Sequence, residues 1–201
     1  MPRKSKIVPS DLAALKIIHY PDPRLSRKSI AVGLPDESLR PLAERMFELM
    51  FAARGVGLAA PQVGVNLRLF VASPGVDPQD RRVYVNPVIL SAEGWQELEE
   101  GCLSVPGVTS QVKRHNLVSI QAAGLDGKGF QEAGEGLLAR IFQHEIDHLD
   151  GVLVINRMGS LARMAYRRTL KDLEDQFVGK PPPDARPCCP PGTGQTGPAN
   201  P

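Results

Sequence analysis

A chain of 201 residues and 21.8 kDa, 42% hydrophobic and 23% charged, has the length of one ordinary domain and a globular composition, which excludes fibrous and wholly disordered classes. The formal charge is +2, but the excess sits at the ends, on Arg3, Lys4 and Lys6 and on Lys180 and Arg186 against Asp184. The body between them is net −2, which argues against a dedicated nucleic-acid binder. Three cysteines, two of them adjacent at 188 and 189, make no disulfide framework. No stretch reaches the ~20 apolar residues that cross a bilayer, and no secretory leader is visible. A reducing, cytoplasmic location without a membrane partner is expected.

In chain order, residues 1–10 are expected to form a loose arm and 11–177 the folded domain. Asp36 to Ala53 predicts a helix, with Leu39, Leu42, Ala43, Met46, Phe47, Leu49 and Met50 at helical spacing and Gly55 as the stop. Strands are expected at Leu67–Ala72, Arg82–Val85, Val88–Leu90, Trp95–Glu99, Val112–Lys113 and Leu117–Ala122, and Asp126-Gly127 is a hairpin signal. Gly136 to His148 predicts a helix with Leu137, Leu138, Ile141 and Phe142 facing inward. A last helix from Ser160 to Phe177 carries Arg168/Asp172 and Lys171/Asp175 at i,i+4. Helix, several strands, then two helices is an α+β pattern rather than an alternating βαβ one. Residues 178–201 hold 8 prolines and 4 glycines, too little apolar surface to offset the entropy of ordering, and are expected to be a disordered tail.

The chemistry concentrates in His144-Glu145-Ile146-Asp147-His148. On a helix, residues four apart share a face, so both imidazoles reach one metal ion, and the intervening Glu stands where it can take a proton from water. A catalytic metal needs a third protein ligand. The extended H-E-x-x-H-x-x-G-x-x-H form fails, because Leu149-Asp150-Gly151 follows. The candidates are Glu174 downstream and Cys102, His115 and His19 upstream. A lone Cys such as Cys102 is often only a small core side chain. Gly55-Val56-Gly57-Leu58-Ala59-Ala60-Pro61-Gln62 follows a helix, so it is no dinucleotide fingerprint; its small residues let backbone approach a ligand, or serve only as a helix cap and turn.

Together GVGLAAPQ (55–62), EGCLS (100–104) and QHEIDH (143–148), with Ile18–Leu25 and Val85-Asn86-Pro87 in support, resemble the signature motifs of the peptide deformylases across about residues 16 to 177. The resemblance implies a fold of short antiparallel or mixed strands packed around a central metal-binding helix, followed by a C-terminal helix. It implies metal ligands Cys102, His144 and His148 for one divalent ion, usually Fe2+, with Zn2+, Ni2+ or Co2+ able to take the place. It also implies Glu145 as general base, and Gln62 and the Leu103 backbone N–H as oxyanion donors. Gly55, Val56 and Gly57 would run along the substrate backbone, beside Glu100 and Gly101 of the Cys loop. Leu137 and Ile141 are candidates for the methionine pocket.

The substrate would be an N-formylmethionyl peptide. Glu100 would orient the Cys loop, Arg114 matches a basic position of the family, and Asp147 and Gln143 would sit behind the ligands. Thr109 stands where many bacterial members carry an arginine. Arg163, Arg167 and Arg168 would offer the ribosome a basic face on the last helix. A zinc endopeptidase with a downstream ligand and an inactive binding module are the competing expectations.

Overall fold

The computed structural model describes residue 9, residues 11–75 and residues 77–177. Apart from Pro9, the expected arm and the whole proline-rich tail lie outside the described residues. The helices are α1 (Arg40–Ala52), α2 (Leu137–Leu149), α3 (Ser160–Ala165) and α4 (Arg167–Gln176). The strands are β1 (Gly57–Ala59), β2 (Leu69–Ala72), β3 (Arg82–Glu93), β4 (Gln96–Gly101), β5 (Thr109–Arg114), β6 (Leu117–Ala123) and β7 (Gly129–Glu135). Five strands form one sheet in the order β1-β2-β3-β6-β7, and β4–β5 is a separate hairpin; every strand pair is antiparallel. This is the α+β architecture expected.

Strand β2 explains how the two long helices are placed. All four of its residues are buried, and alternate side chains of a strand point to opposite faces. Leu69 and Val71 pack with Leu42, Met46, Phe47 and Met50 of α1. Phe70 and Ala72 pack with Ala139, Ile141, Phe142 and Ile146 of α2. The helices therefore cover opposite faces of the sheet. On the α2 side an aromatic cluster fills the gap: Phe70 stacks on Tyr84 at 4.5 Å, and Tyr84 meets the edge of Phe142 at 5.3 Å. Burial and the hydrogen bond Tyr84 donates to Glu132 both push the Tyr84 phenol well above its usual range, so it stays neutral.

Several expected boundaries shift. The first helix opens as a 3-10 turn (Glu37–Leu39), capped by the Asp36 carboxylate on the Ser38 N–H, before α1 begins at Arg40. The strands expected at Arg82–Val85 and Val88–Leu90 are one strand. Asn86 sits at φ 52°, and its amide clasps the Val32 backbone at 2.8 and 2.7 Å, so the chain passes Pro87 with a register shift instead of ending. The second strand starts at Leu69 rather than Leu67, the sixth ends at Ala123, and the hairpin strands are Gln96–Gly101 and Thr109–Arg114 rather than Trp95–Glu99 and Val112–Lys113.

The glycine stretch contains the edge strand β1, and β7 completes the hairpin that Asp126-Gly127 announces. The last helix is two, broken at Tyr166. Leu137 does not face inward: it is 48% exposed.

Only Gly136, at φ 58°, separates β7 from α2, so the position of α2 depends on this junction. A Cβ on Gly134 would stand 2.8 Å from Leu138 Cγ and Phe142 Cε2 and 3.0 Å from the Ala139 backbone nitrogen. Gly134→Ala is expected to cost about 1–3 kcal/mol through overpacking. For a chain of this size that lowers Tm by about 2–4 °C per kcal/mol. A thermal melt indistinguishable from that of the unaltered protein would contradict the junction's role.

Candidate metal centre

Helix α2 puts His144 and His148 one turn apart with their Nε2 atoms 3.2 Å from each other, and Cys102 Sγ lies 3.2 Å from His148 Nε2. The three donor atoms fall within 4.8 Å of one another, and among the described residues they are the group that could hold a metal ion. Metal–nitrogen bonds of about 2.0–2.1 Å in a tetrahedron imply nitrogens about 3.3 Å apart, so the donors fit a single ion. Cys102 arrives from the other side, at the end of β4, where a turn closes with the Val105 N–H on the Cys102 carbonyl at 2.9 Å.

The electrostatics differ at the two imidazoles: burial lowers His144, but hydrogen bonds with Cys102 and Glu100 prevail and hold it well above the usual range. Burial pushes His148 well below the usual imidazole range, so its ring is neutral and a nitrogen lone pair is available. His144 turns Nδ1 to Glu100 Oε2 at 3.1 Å; donating that proton leaves its Nε2 facing the cluster. Burial alone would raise the Glu100 carboxyl, but hydrogen bonds from His144 and Arg114 prevail and hold it at about 2, fully ionised. Arg114 grips Glu100 through Nε and Nη2, both at 3.0 Å, and reaches Asp147 Oδ2 through Nη1 at 2.6 Å. Arg157 binds the same Asp147 from outside.

Glu145 is buried beside the donors, and burial pushes its carboxyl up to about 7. Its Oε2 is buried with no hydrogen-bond partner, and its Oε1 lies over Gly57, where any Cβ would collide with the carboxylate. Gln62 is held by both ends of its amide. Oε1 accepts from the Ala59 N–H at 2.8 Å, while Nε2 donates to Ser104 Oγ at 3.2 Å and reaches Cys102 Sγ at 3.6 Å. The amide nitrogen is thereby fixed toward the ligand cluster.

A cleft of about 410 Å³ opens on this group. Gly55, Val56, Gly57, Gln62, Glu100, Gly101, Cys102, Leu103, Leu137, Ile141, His144 and Glu145 all line it; of the ligand, catalytic and substrate-contact residues that the resemblance implies, only His148 is not in the wall. The same wall contains residues that were not singled out. Arg54 and Glu99 stand at it, as does Arg140, whose buried guanidinium binds Glu100. Ser104, which steadies Gln62, was also missed.

The remaining ligand candidates separate cleanly. Glu174 accepts from the Tyr20 hydroxyl at 2.6 Å, beside Arg167 and Lys171 in a different groove. His115 stacks on Trp95 at 3.9 Å, and His19 is exposed. Gln143 clamps the β5–β6 turn, accepting from the His115 N–H and donating to the His115 carbonyl. Thr109 lines the cleft with Oγ1 3.2 Å from the Tyr166 hydroxyl.

Residues 14–164 match the sequence model of the polypeptide deformylase family. A peptide deformylase of Acidobacterium capsulatum is 45% identical over 160 residues, 79% of this chain and 94% of that one. A crystal structure of a peptide deformylase from Legionella pneumophila superposes with a TM-score of 0.75 at 47% identity, covering 83% and 99% of the two chains. A plant peptide deformylase structure superposes at 0.82 with 40% identity, covering 88% and 98%.

The close packing of Glu145 over Gly57 makes a sharp test of this geometry. If the Glu145 carboxylate reacts from where it lies, Gly57→Ala lowers kcat on the order of 10²-fold at unchanged metal content, the cost of displacing a reacting group by ~1 Å. An alanine variant with unaltered kcat would show that the Glu145 carboxylate does not work from where it lies.

Proposed function

The chain belongs to the polypeptide deformylase family, and from that premise we propose that it hydrolyses the formyl group from formylmethionine at the start of newly made polypeptides, releasing formate. The observation that carries this reading is the convergence of Cys102, His144 and His148 within 4.8 Å beside the buried Glu145. The catalytic unit is residues 11–177.

Cys102, His144 and His148 would hold one divalent ion, which when bound supplies Lewis acidity and lowers the pKa of water. A thiolate with two imidazoles accepts iron, zinc, nickel or cobalt. We take the native ion to be Fe2+, to be checked by metal analysis after anaerobic purification.

The protein's own groups do the rest. The Glu145 carboxylate takes the proton of the attacking water and later returns it to the departing amine nitrogen. Gln62 Nε2, pinned by Ala59 and Ser104, and the backbone N–H of Leu103 are the donors for the oxygen that gains charge at the formyl carbon. Because β1 is the edge of its sheet, Val56 and Gly57 have one side open for main-chain pairing with an extended peptide, independent of its sequence. Leu137 and Ile141 line the same cleft and suit a methionine side chain. A formyl carbon bears only hydrogen and fits the end closed by Gln62, Cys102 and Leu103; an acetyl methyl would overlap that wall.

Location and partners are finer readings. No helix among the described residues is long and apolar enough to cross a membrane, and a thiolate ligand suits a reducing compartment, which supports the cytoplasm. A relative from Arabidopsis thaliana, 40% identical, carries a chloroplastic/mitochondrial name. Exposed Arg163, Arg167 and Arg168, with Leu161 and Met164 of α3 also exposed, support docking of the C-terminal helices to ribosomal RNA.

Glu145→Gln is expected to keep its metal and lose about 10²–10⁴-fold in kcat on formyl-Met-Ala-Ser. Acetyl-Met-Ala-Ser should be slower by about 10²-fold or more. Equal rates on the two peptides would refute the closed end, and a glutamine variant near wild-type kcat would remove Glu145 as the base. Ribosome co-sedimentation should fall steeply with salt and vanish when the three arginines become glutamates; insensitivity to either would end the docking reading.

A further inference from the structure

Arg140 stands one turn before His144 on α2, in the wall of the cleft, 5% exposed. Three acceptors converge on a single nitrogen of its guanidinium. Nη1 donates to Glu100 Oε1, to the Val112 carbonyl at 3.1 Å and to the Leu98 carbonyl at 3.5 Å. Leu98 and Glu100 lie on β4 and Val112 on β5, so every one of these acceptors belongs to the hairpin that delivers Cys102. The other guanidinium nitrogens, Nε and Nη2, are buried with no partner. A buried cation with unmet donors is retained at a cost, so its worth lies in the Nη1 contacts.

We propose that Arg140 is a positioning residue of the metal centre: it ties the helix bearing His144 and His148 to the hairpin bearing Cys102, and through Glu100 sets the His144 ring. Arg114 grips the same Glu100, but from β5, within the hairpin. Arg140 reaches it from the helix, while Asp147 on the far side of His144 is fastened back to Arg114. His144 is thus flanked, one turn before and one turn after, by links between the two ligand-bearing elements. Removing the Arg140 link frees the Glu100 carboxylate to rotate away from His144 Nδ1 and lets the thiolate drift from the imidazoles.

The inference rests on the deformylase reading only in taking Cys102, His144 and His148 as ligands. Its readout needs no substrate, so its failure and a failure of formate release are distinguishable. The full-length protein is stripped of metal, and Ni2+ and Co2+ are titrated back. Arg140→Met, which fills similar volume without a donor, is expected to bind both ions 10–100-fold more weakly, the usual loss when a ligand's supporting partner is removed. The thiolate-to-cobalt charge-transfer band should shift or weaken with it. Arg140→Lys can place Nζ where Nη1 stands and should bring affinity and band back to within ~3-fold of wild type, since one nitrogen carries the contacts. If Arg140→Met does not fold, Arg140→Leu takes its place with the same readouts. A folded methionine or leucine variant with wild-type affinity and band overturns the proposal, and so does a lysine variant that rescues neither.

Discussion

Glu100 is a buried carboxylate on β4 that accepts hydrogen bonds from two arginines and one histidine, and the geometry of the cleft depends on it. Taking an ion out of water is costly, and a buried pair repays that cost only when its lone pairs are fully engaged. Here they are. Arg114 and Arg140 occupy Oε1, while Arg114 and His144 occupy Oε2. The carboxyl stays ionised far below the ordinary carboxylate range, so His144 faces a negative partner at any pH where the protein works. A glutamine at this place would accept through one oxygen only and would offer the arginines an amide nitrogen they cannot use. The same residue therefore holds the His144 ring, balances two buried cations and closes the hairpin over the helix.

The wider fold exists to hold that hairpin and that helix still. Strand β2, buried on both faces, lets α1 and α2 press from opposite sides, and the Phe70–Tyr84–Phe142 cluster sets the height of α2 above the sheet. The order of strands leaves β1 at one edge, directly under Glu145. An edge strand is ordinarily an aggregation hazard. Here only three residues form it, and its first, Gly57, lines the cleft.

Much of this is legible in the sequence, and the reasons for the rest are physical. The i,i+4 imidazoles of α2 are a local pattern, so their shared face followed from helix geometry alone. Cys102 was different. Spacing left it among several candidates, and only its resemblance to a known signature singled it out, because the contact joins residues forty-odd positions apart. Arg140 was not found at all. A charged residue on an amphipathic helix is expected at the surface, and nothing local reveals a carboxylate waiting on a distant hairpin. Ser104 was missed for the same reason.

Strand β7 lacks an apolar alternation because it lies at the sheet's other edge, where only Gly134 is buried; its sequence carries the turn signal but little strand signal. The break at Tyr166 has neither proline nor glycine to mark it and coincides with the contact to Thr109. Conversely, Asn86-Pro87 looks like an end and is not, because the Asn86 amide finds backbone partners at Val32.

If one ion sits between a thiolate from the hairpin and two imidazoles from the helix, X-ray absorption at the metal edge of the loaded protein shows one sulfur scatterer together with two imidazole nitrogens, and the sulfur shell is lost in Cys102→Ser. A metal site with no sulfur neighbour in the unaltered protein would contradict it.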